Sequence, residues 1–436
     1  MISMDAEKRN VVLVTMDSLR ADHCSFMGYE RETTPTLDAM AAEGVVFENA
    51  IASGVPTIAS MTSVMTGTFS LASPEIGLNE EQREQVTSRK TLAEALSAAG
   101  YATGAVSPNP PASSYFGFDG GFDWFEDFLH EDRGTAERAW NRIFRRSIEG
   151  GGAATSLRLA RNLVRREETL RPWDDYYDLI HDWCERAPEP YFLWVLLLDP
   201  HHPWLPPAAS RQWSSRGDLV RSFGQYWRML NAGWEPDFGP DERQRFLDLY
   251  DDSIRHADRF LHRLQADLRD DDPVFVVHAD HGEEFGEHGR YGHQPHLYES
   301  LVHVPLVIAN AGRQETVDAP VPLRSIPTTI AELAEATHRF PAPSLHAAAE
   351  RPWTISKVLV GDDRRTAIRT RDHKFIRDPN RRELYDLRLD PDEQVNVVDD
   401  HGELASVFEA ILANHTATER EKRSIDDTTA LVEGTL

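Results

Sequence analysis

The chain has few lysines, few cysteines and no long hydrophobic run. Lysine occurs at only five of its 436 positions, so arginine carries nearly all of the positive charge. The formal net charge of −26 argues against a general nucleic-acid binder, because phosphate binding needs a basic surface. Strong acidity with so little lysine predicts a halophilic protein that stays soluble in high salt; an ordinary acidic protein is the alternative.

Cys24 and Cys184 are too few for a disulfide framework and are not spaced as a zinc motif. The first ten residues contain no apolar core, and no apolar run approaches the roughly 20 residues needed to span a bilayer. These features predict a soluble, cytoplasmic protein. They leave its oligomeric state open.

Short apolar runs alternate with helical patterns, which is typical of an α/β fold with a doubly wound, mostly parallel sheet flanked by helices. The runs are residues 11–15, 191–198, 274–277 and 304–308, with a further strand at 101–106. Helices are predicted at 35–43, from the capping box at Thr91 to Gly100, and at 241–268. Short strand patterns at 353–360, 366–370, 373–377 and 383–385 predict a small antiparallel subdomain.

We therefore predict a catalytic domain at residues 1–345, a C-terminal subdomain at 346–415 and a flexible tail at 416–436. A helical insertion at about 131–186 interrupts the first domain and is rich in arginine. Arg158, Arg161 and Arg165 share one helical face. That face is either a lid facing an anionic substrate or a solvated surface that balances nearby acids.

Two of the apolar runs lead straight into residues that bind metals. Asp17 follows the run at 11–15, while Asp280 and His281 follow the run at 274–277. Parallel sheets place ligand sites beyond the carboxyl ends of their strands, and a carboxylate buried there needs a cation or hydrogen-bond donors. These residues predict a shared ion. In the glycine-rich loop that follows, His293 is a candidate proton donor to a leaving group.

Thr57 lies where a loop containing glycine and proline enters a short helix that ends at Gly67. The free N–H groups and positive dipole of a helix N-terminus favour an anion. A hydroxyl placed there beside a metal ion can act as a nucleophile in phosphoryl or sulfuryl transfer. Helix capping by Thr57 or Ser60 is the alternative. Asp199 and His201 follow the run at 191–198, either as site residues or as a structural turn.

In their order along the chain, these motifs resemble those of the sulfatase family of the alkaline phosphatase superfamily. They are Met16-Asp17-Ser18-Leu-Arg20, residues 33–47, the loop from Thr57 to Gly67, Asp199-Pro-His201, residues 250–258, Ala279-Asp280-His281-Gly282-Glu283, His293 and residues 383–387. The resemblance implies an ester hydrolase with an alkaline-phosphatase-like fold. It also implies a divalent ion held by Asp17, Thr57, Asp280 and His281. Thr57 would form a covalent intermediate, and His201 and His293 would lie near the ester or leaving oxygen.

The departures from the family pattern bear on the chemistry. Sulfatases carry cysteine or serine at the position of Thr57 and oxidise it to formylglycine, an aldehyde that threonine cannot yield, so no formylglycine is expected. Ala59 and Met61 replace a proline and an arginine, and Ser18 replaces a second aspartate. The ligand set is thereby one carboxylate short for a calcium-type site, which favours zinc or manganese over calcium. The number of ions stays open.

The sequence therefore predicts a metal-dependent hydrolase of a phosphate or sulfate ester, with phosphate mono- or diesters favoured by Thr57. Its substrate would be an anionic small molecule or a glycan ester. One alternative is a sulfatase that uses unmodified threonine. Others are a phosphotransferase and a degenerate binding protein without catalysis, which the replacements at Ser18 and Met61 would suit.

Overall fold

The computed structural model describes residues 8–70, 80–129, 171–360 and 363–433, with side chains described to residue 418. The arginine-rich face with Arg158, Arg161 and Arg165 lies outside these ranges. The strands are β1 (Val11–Met16), β2 (Val45–Phe47), β3 (Ala50–Ile51), β4 (Ala102–Val106), β5 (Trp124–Glu126), β6 (Tyr191–Leu197), β7 (Val274–Ala279), β8 (Glu284–Phe285), β9 (Tyr291–Gly292), β10 (His303–Val304), β11 (Leu306–Ala309), β12 (Glu315–Val317), β13 (Val321–Pro322), β14 (Trp353–Val360), β15 (Asp363–Thr370), β16 (His373–Arg377) and β17 (Arg382–Asp386).

The structure has helices at the three segments where they are predicted and at several further segments. In the described part of the chain they are α1 (Pro35–Glu43), α2 (Thr57–Thr66), α3 (Glu80–Thr87), α4 (Leu92–Ala98), α5 (Tyr177–Cys184), α6 (Arg216–Asn231), α7 (Pro240–Asp267), α8 (Glu299–Val302), α9 (Ile326–Leu333), α10 (Leu345–Ala349) and α11 (Gly402–Glu433). The capping box predicted at Thr91 and Glu94 opens α4. The helices predicted at 35–43 and 241–268 are confirmed as α1 and α7.

An eight-stranded, mostly parallel sheet forms the centre of the fold, in the order β12-β2-β11-β7-β1-β6-β4-β5. Strands β1, β6 and β7 lie side by side, and every residue in them is buried. Their unbroken apolar sequences fit this position, because helices cover both faces of a parallel sheet. The predicted doubly wound α/β class is confirmed.

The pairing register of the central strands fixes the place of the site. Met16 pairs with Leu197 on one side and with Ala279 on the other. The residues that follow these three therefore leave the sheet at one level, at the carboxyl edge of the parallel strands. Ligand sites in open α/β sheets form at this edge.

The strand predicted at 304–308 is wrong in its extent. It is divided into β10 and β11 at Pro305, which has no N–H to donate to a strand partner. Strand β10 pairs with β3 in a separate three-stranded sheet. Strand β11 runs antiparallel to both β7 and β2, so one antiparallel strand is inserted into the otherwise parallel order.

The predicted C-terminal antiparallel subdomain is confirmed as the four-stranded sheet β14-β15-β16-β17. Helix α11 packs on this sheet through a second apolar core that includes Ile368, Phe375 and Phe408. The domain boundaries and the flexible tail at 416–436 stay predictions. None of the helices in the described residues combines the length and the apolar character needed to cross a membrane.

Candidate metal and ester-cleavage site

Asp17 and Asp280 meet at the carboxyl edge of the sheet because they directly follow the paired residues Met16 and Ala279. Both carboxylates are fully buried. Ser18 supports the pair, since its hydroxyl donates to Asp17 Oδ1 over 2.8 Å and its backbone N–H donates to Asp280 Oδ1 over 3.1 Å. A left-handed φ of 62° at Ser18 accompanies the turn that follows β1. Ser18 thus orients the two acids.

Thr57 is the first residue of α2, after Pro56. Its side-chain Oγ1 lies 3.1 Å from Nε2 of His281. The other ring nitrogen of His281, Nδ1, lies 2.9 Å from the carbonyl oxygen of Gly282 and must be the donor, because a carbonyl oxygen can only accept. A neutral His281 therefore directs an Nε2 lone pair at Thr57. This is the arrangement of a metal-binding imidazole whose outer nitrogen is held by a backbone carbonyl.

Asp280 has an oxygen that needs a cation. Its Oδ2 is buried, has no hydrogen-bond partner among the described residues and lies 3.4 Å from Nε2 of His281. One donor atom each from Asp17, Asp280 and His281 lies within 4.8 Å of the others. Burial raises the pKa of Asp280 to about 6 and lowers the pKa of His281 to about 4. The donor set therefore fits a divalent ion, which would stabilise the carboxylate and take the imidazole lone pair.

Asn109 is a residue of this site that the sequence patterns missed. Its side-chain amide donates a short hydrogen bond to Asp17 Oδ2, and Asn109 is only 4% exposed. It reaches the site from the loop after β4. No recognisable motif surrounds it, and only a prediction of which strands neighbour β1 would have indicated it.

His201 and His293 lie together beside this group, as the sequence suggested, and His202 joins them. Their ring centroids are 4.1 Å apart for His201 and His202, 4.8 Å for His201 and His293, and 4.9 Å for His202 and His293. The ring of His293 also lies 4.6 Å from that of His281. Burial is the largest cause that lowers the pKa of His293, to about 3, so this ring is neutral at neutral pH.

Asp199 does not join the cluster, although its position in the sequence made it a candidate. Its carboxylate lies 3.4 Å from Nε2 of His256 on α7. Burial raises the pKa of Asp199 to about 8. The histidines at 288 and 296 also serve other contacts, with Glu284 and Arg365 respectively.

Glu283 is a second residue that sequence reasoning did not assign to the site. Its carboxyl oxygens lie 3.2 and 3.4 Å from Nδ1 of His293. Burial raises the pKa of Glu283 to about 8, so a nearby positive charge is needed to keep it ionised at neutral pH.

Comparison with known proteins decides the family. Residues 9–336, well over half of the chain, match the family model described as Sulfatase. The chain belongs to the sulfatase family. It is 27% identical over 440 residues to an arylsulfatase of Clostridium perfringens, covering 90% of both chains. Family membership makes this chain an ester hydrolase, in a family that depends on a divalent metal ion.

Solved structures agree with the fold. A phosphonate monoester hydrolase of Agrobacterium radiobacter superposes with a TM-score of 0.66 at 20% identity, covering 94% of this chain and 96% of that one. A 2-O GAG sulfatase superposes with a TM-score of 0.67 at 17% identity, covering 96% and 94%. The same sulfatase fold thus occurs in proteins named for phosphonate esters and in proteins named for sulfate esters.

Proposed function

We propose that this sulfatase-family hydrolase cleaves phosphate mono- or diesters through a covalent intermediate on Thr57. The observation that carries the proposal is the hydroxyl of an unmodified threonine at the start of α2, 3.1 Å from His281 Nε2 and beside two buried carboxylates. The likeness to phosphonate monoester hydrolases from two organisms supports phosphorus as the reacting centre.

Asp17, Thr57, Asp280 and His281 would hold the divalent ion. When bound, the ion supplies Lewis-acid polarisation of the ester and lowers the pKa of a coordinated hydroxyl. Zinc or manganese suits a site with a histidine ligand and few carboxylates.

The protein's own groups would divide the reaction into two steps. Thr57 Oγ1 gives up its proton and attacks phosphorus, and its bond to phosphorus forms as the bond to the leaving oxygen breaks. The leaving oxygen takes up one proton, so the step neither gains nor loses a proton overall. Water then attacks the phosphorus of the phosphothreonine, and Thr57 regains its hydroxyl. Backbone N–H groups at the start of α2 would stabilise the anionic oxygens. His201 and His293 would stand beside the ester or leaving oxygen.

A sulfatase that uses unmodified threonine is the second candidate, favoured by the likeness to the arylsulfatase over 90% of both chains.

The two candidate activities are distinguished by incubating metal-loaded protein with aryl phosphate, bis-aryl phosphate and aryl sulfate. We expect turnover of a phosphate ester that falls by about 10³-fold or more in Thr57→Ala. Thr62→Ala is the matched control, because Thr62 is buried in the same helix and donates only to the backbone of Ile58.

Turnover of sulfate alone would assign the sulfatase activity instead. Phosphate turnover that survives Thr57→Ala would refute the proposed nucleophile. Metal binding without turnover of any of the three esters would favour the non-catalytic alternative.

A further inference from the structure

We propose that His201, His202 and His293 form a second metal site that binds zinc, next to the ion held by Asp17, Asp280 and His281. The inference deepens the proposed function and rests on it for the role of the ion. One ring nitrogen from each of the three histidines lies within 4.8 Å of the other two. All three side chains are half-buried, so the cluster is reachable from solvent.

The outer nitrogen of each ring has a partner on the far side. Nδ1 of His201 lies 2.5 Å from the carbonyl oxygen of His202, Nδ1 of His202 lies 2.9 Å from the hydroxyl of Tyr226, and Nδ1 of His293 lies 3.2 Å from Glu283. Backbone carbonyls and carboxylates are the outer partners typical of metal-binding histidines, and the hydroxyl of Tyr226 can accept from His202 in the same way. In each ring Nε2 is therefore the nitrogen available to a ligand.

The protonation of these rings favours a cation between them. A neutral His201 must carry its proton on Nδ1, because the carbonyl of His202 can only accept. Its Nε2 then presents a lone pair, and so does that of His293 when Glu283 is ionised. Neither lone pair attracts a phosphate oxygen, which is also an acceptor. A cation between the rings and the ester removes this conflict.

Zinc fits this donor set better than calcium or magnesium. Imidazole is a preferred ligand of zinc, whereas calcium and magnesium prefer oxygen ligands. Three histidines leave the fourth position of a tetrahedral zinc site open for a substrate oxygen or water, as in catalytic zinc sites. His293 joins the two groups, because its ring lies 4.6 Å from that of His281.

The assignment gives His201 and His293 a role different from proton donation. A single Nε2 cannot hold a proton and a zinc ion together. The three histidines would instead hold a zinc ion whose Lewis acidity stabilises the negative charge on the leaving oxygen, so that no protonated imidazole is needed there.

Zinc stoichiometry tests the proposal directly. The protein is stripped with a chelator, incubated with zinc, desalted and analysed for zinc per chain. We expect two equivalents in the wild type, one in His202→Ala, one in His202→Gln and two in His256→Gln. His256 is the control, because it is a buried histidine that contacts Ser210 and Asp199 outside the cluster. Tyr226→Phe should weaken the second zinc by about tenfold, since it removes an outer partner.

Cobalt substitution gives a readout that does not depend on activity. The visible absorption of bound cobalt should correspond to two ions in the wild type. His202→Ala should remove the contribution of the ion held by the three histidines, and Asp280→Asn should leave that contribution in place. One equivalent of zinc in the wild type, or two in a folded His202→Ala, would refute the second site. Phosphate turnover by protein that binds a single ion would refute the second metal site and leave the proposed function standing. Two bound ions without phosphate turnover would refute the proposed function and leave the second metal site standing.

Discussion

Replacing Asn109 with alanine should weaken binding of the divalent ion at Asp17 without unfolding the protein. Asn109 donates to Asp17 Oδ2, while Ser18 donates to the other oxygen. Removing one hydrogen bond to a buried charged group costs about 1.5 to 3 kcal/mol. If the loss falls on the ion-bound state, the dissociation constant rises by about 10- to 100-fold, the range typical for lost outer partners of metal ligands.

Calorimetric titration of chelator-stripped protein with zinc or manganese measures the change. The control is Asn10→Ala, at the opposite end of β1 from Asp17. Asn10 is also buried, and its side-chain oxygen accepts from the backbone N–H of Tyr191 over 2.9 Å. It should cost stability but leave the metal affinity unchanged. Equal affinities for Asn109→Ala and the wild type would refute the idea that Asn109 holds a metal ligand in place.

Three further predictions concern the packing at Gly282, the charge of Lys374 and the carboxyl group of Glu393. Gly282→Ala should destabilise the fold by about 1 to 3 kcal/mol, because an added Cβ would lie 2.1 Å from the carbonyl oxygen of Ser300; Gly224→Ala, where nothing lies within 4 Å, should stabilise it slightly. Unfolding by denaturant measures the stability of both variants. Equal stabilities would contradict the predicted clash between a side chain at residue 282 and Ser300. Lys374→Met should cost about 3 to 5 kcal/mol, because it removes the ammonium group shared by the buried carboxyl group of Glu393 and the partly buried carboxyl group of Glu299. Burial raises the pKa of Glu393 from 4.5 to about 7, so the stability it contributes is present below pH 4.5 and is lost as the pH rises through about 7. Between pH 5 and pH 8 the free energy of unfolding of Glu393→Gln should therefore fall less than that of the wild type. An equal fall in both proteins would show that Glu393 does not cause the pH dependence.

The central strands and the main site could be predicted from the sequence because both depend on local patterns. Unbroken apolar runs mark strands buried on both faces, and the acids that end them must meet when the strands are parallel neighbours. Thr57 was predictable in the same way, since a loop followed by a short helix indicates the helix N-terminus.

The remaining site residues depend on tertiary arrangement. Asn109 reaches Asp17 from the loop after β4, and β6 lies between β4 and β1 in the sheet. No local sequence pattern indicates this contact. His202 follows His201 directly, yet both rings meet His293 only because the loop after β6 turns there. Asp199 points to His256 instead of the site. Pro305 separates β10 from β11. The local sequence does not show this division, because it depends on the different partner strands of the two, β3 for β10 and β7 for β11.

The most direct test of the central claim is to look for a phosphoryl group on Thr57. Metal-loaded protein is mixed with an aryl phosphate ester, quenched in acid during turnover, digested and analysed by mass spectrometry. We expect the peptide that contains Thr57 to carry one phosphoryl group, and the modification to be absent in Thr57→Ala and present in Thr62→Ala. Turnover of the ester with no modified Thr57 at any quench time, or with the phosphoryl group on another residue, would contradict the account.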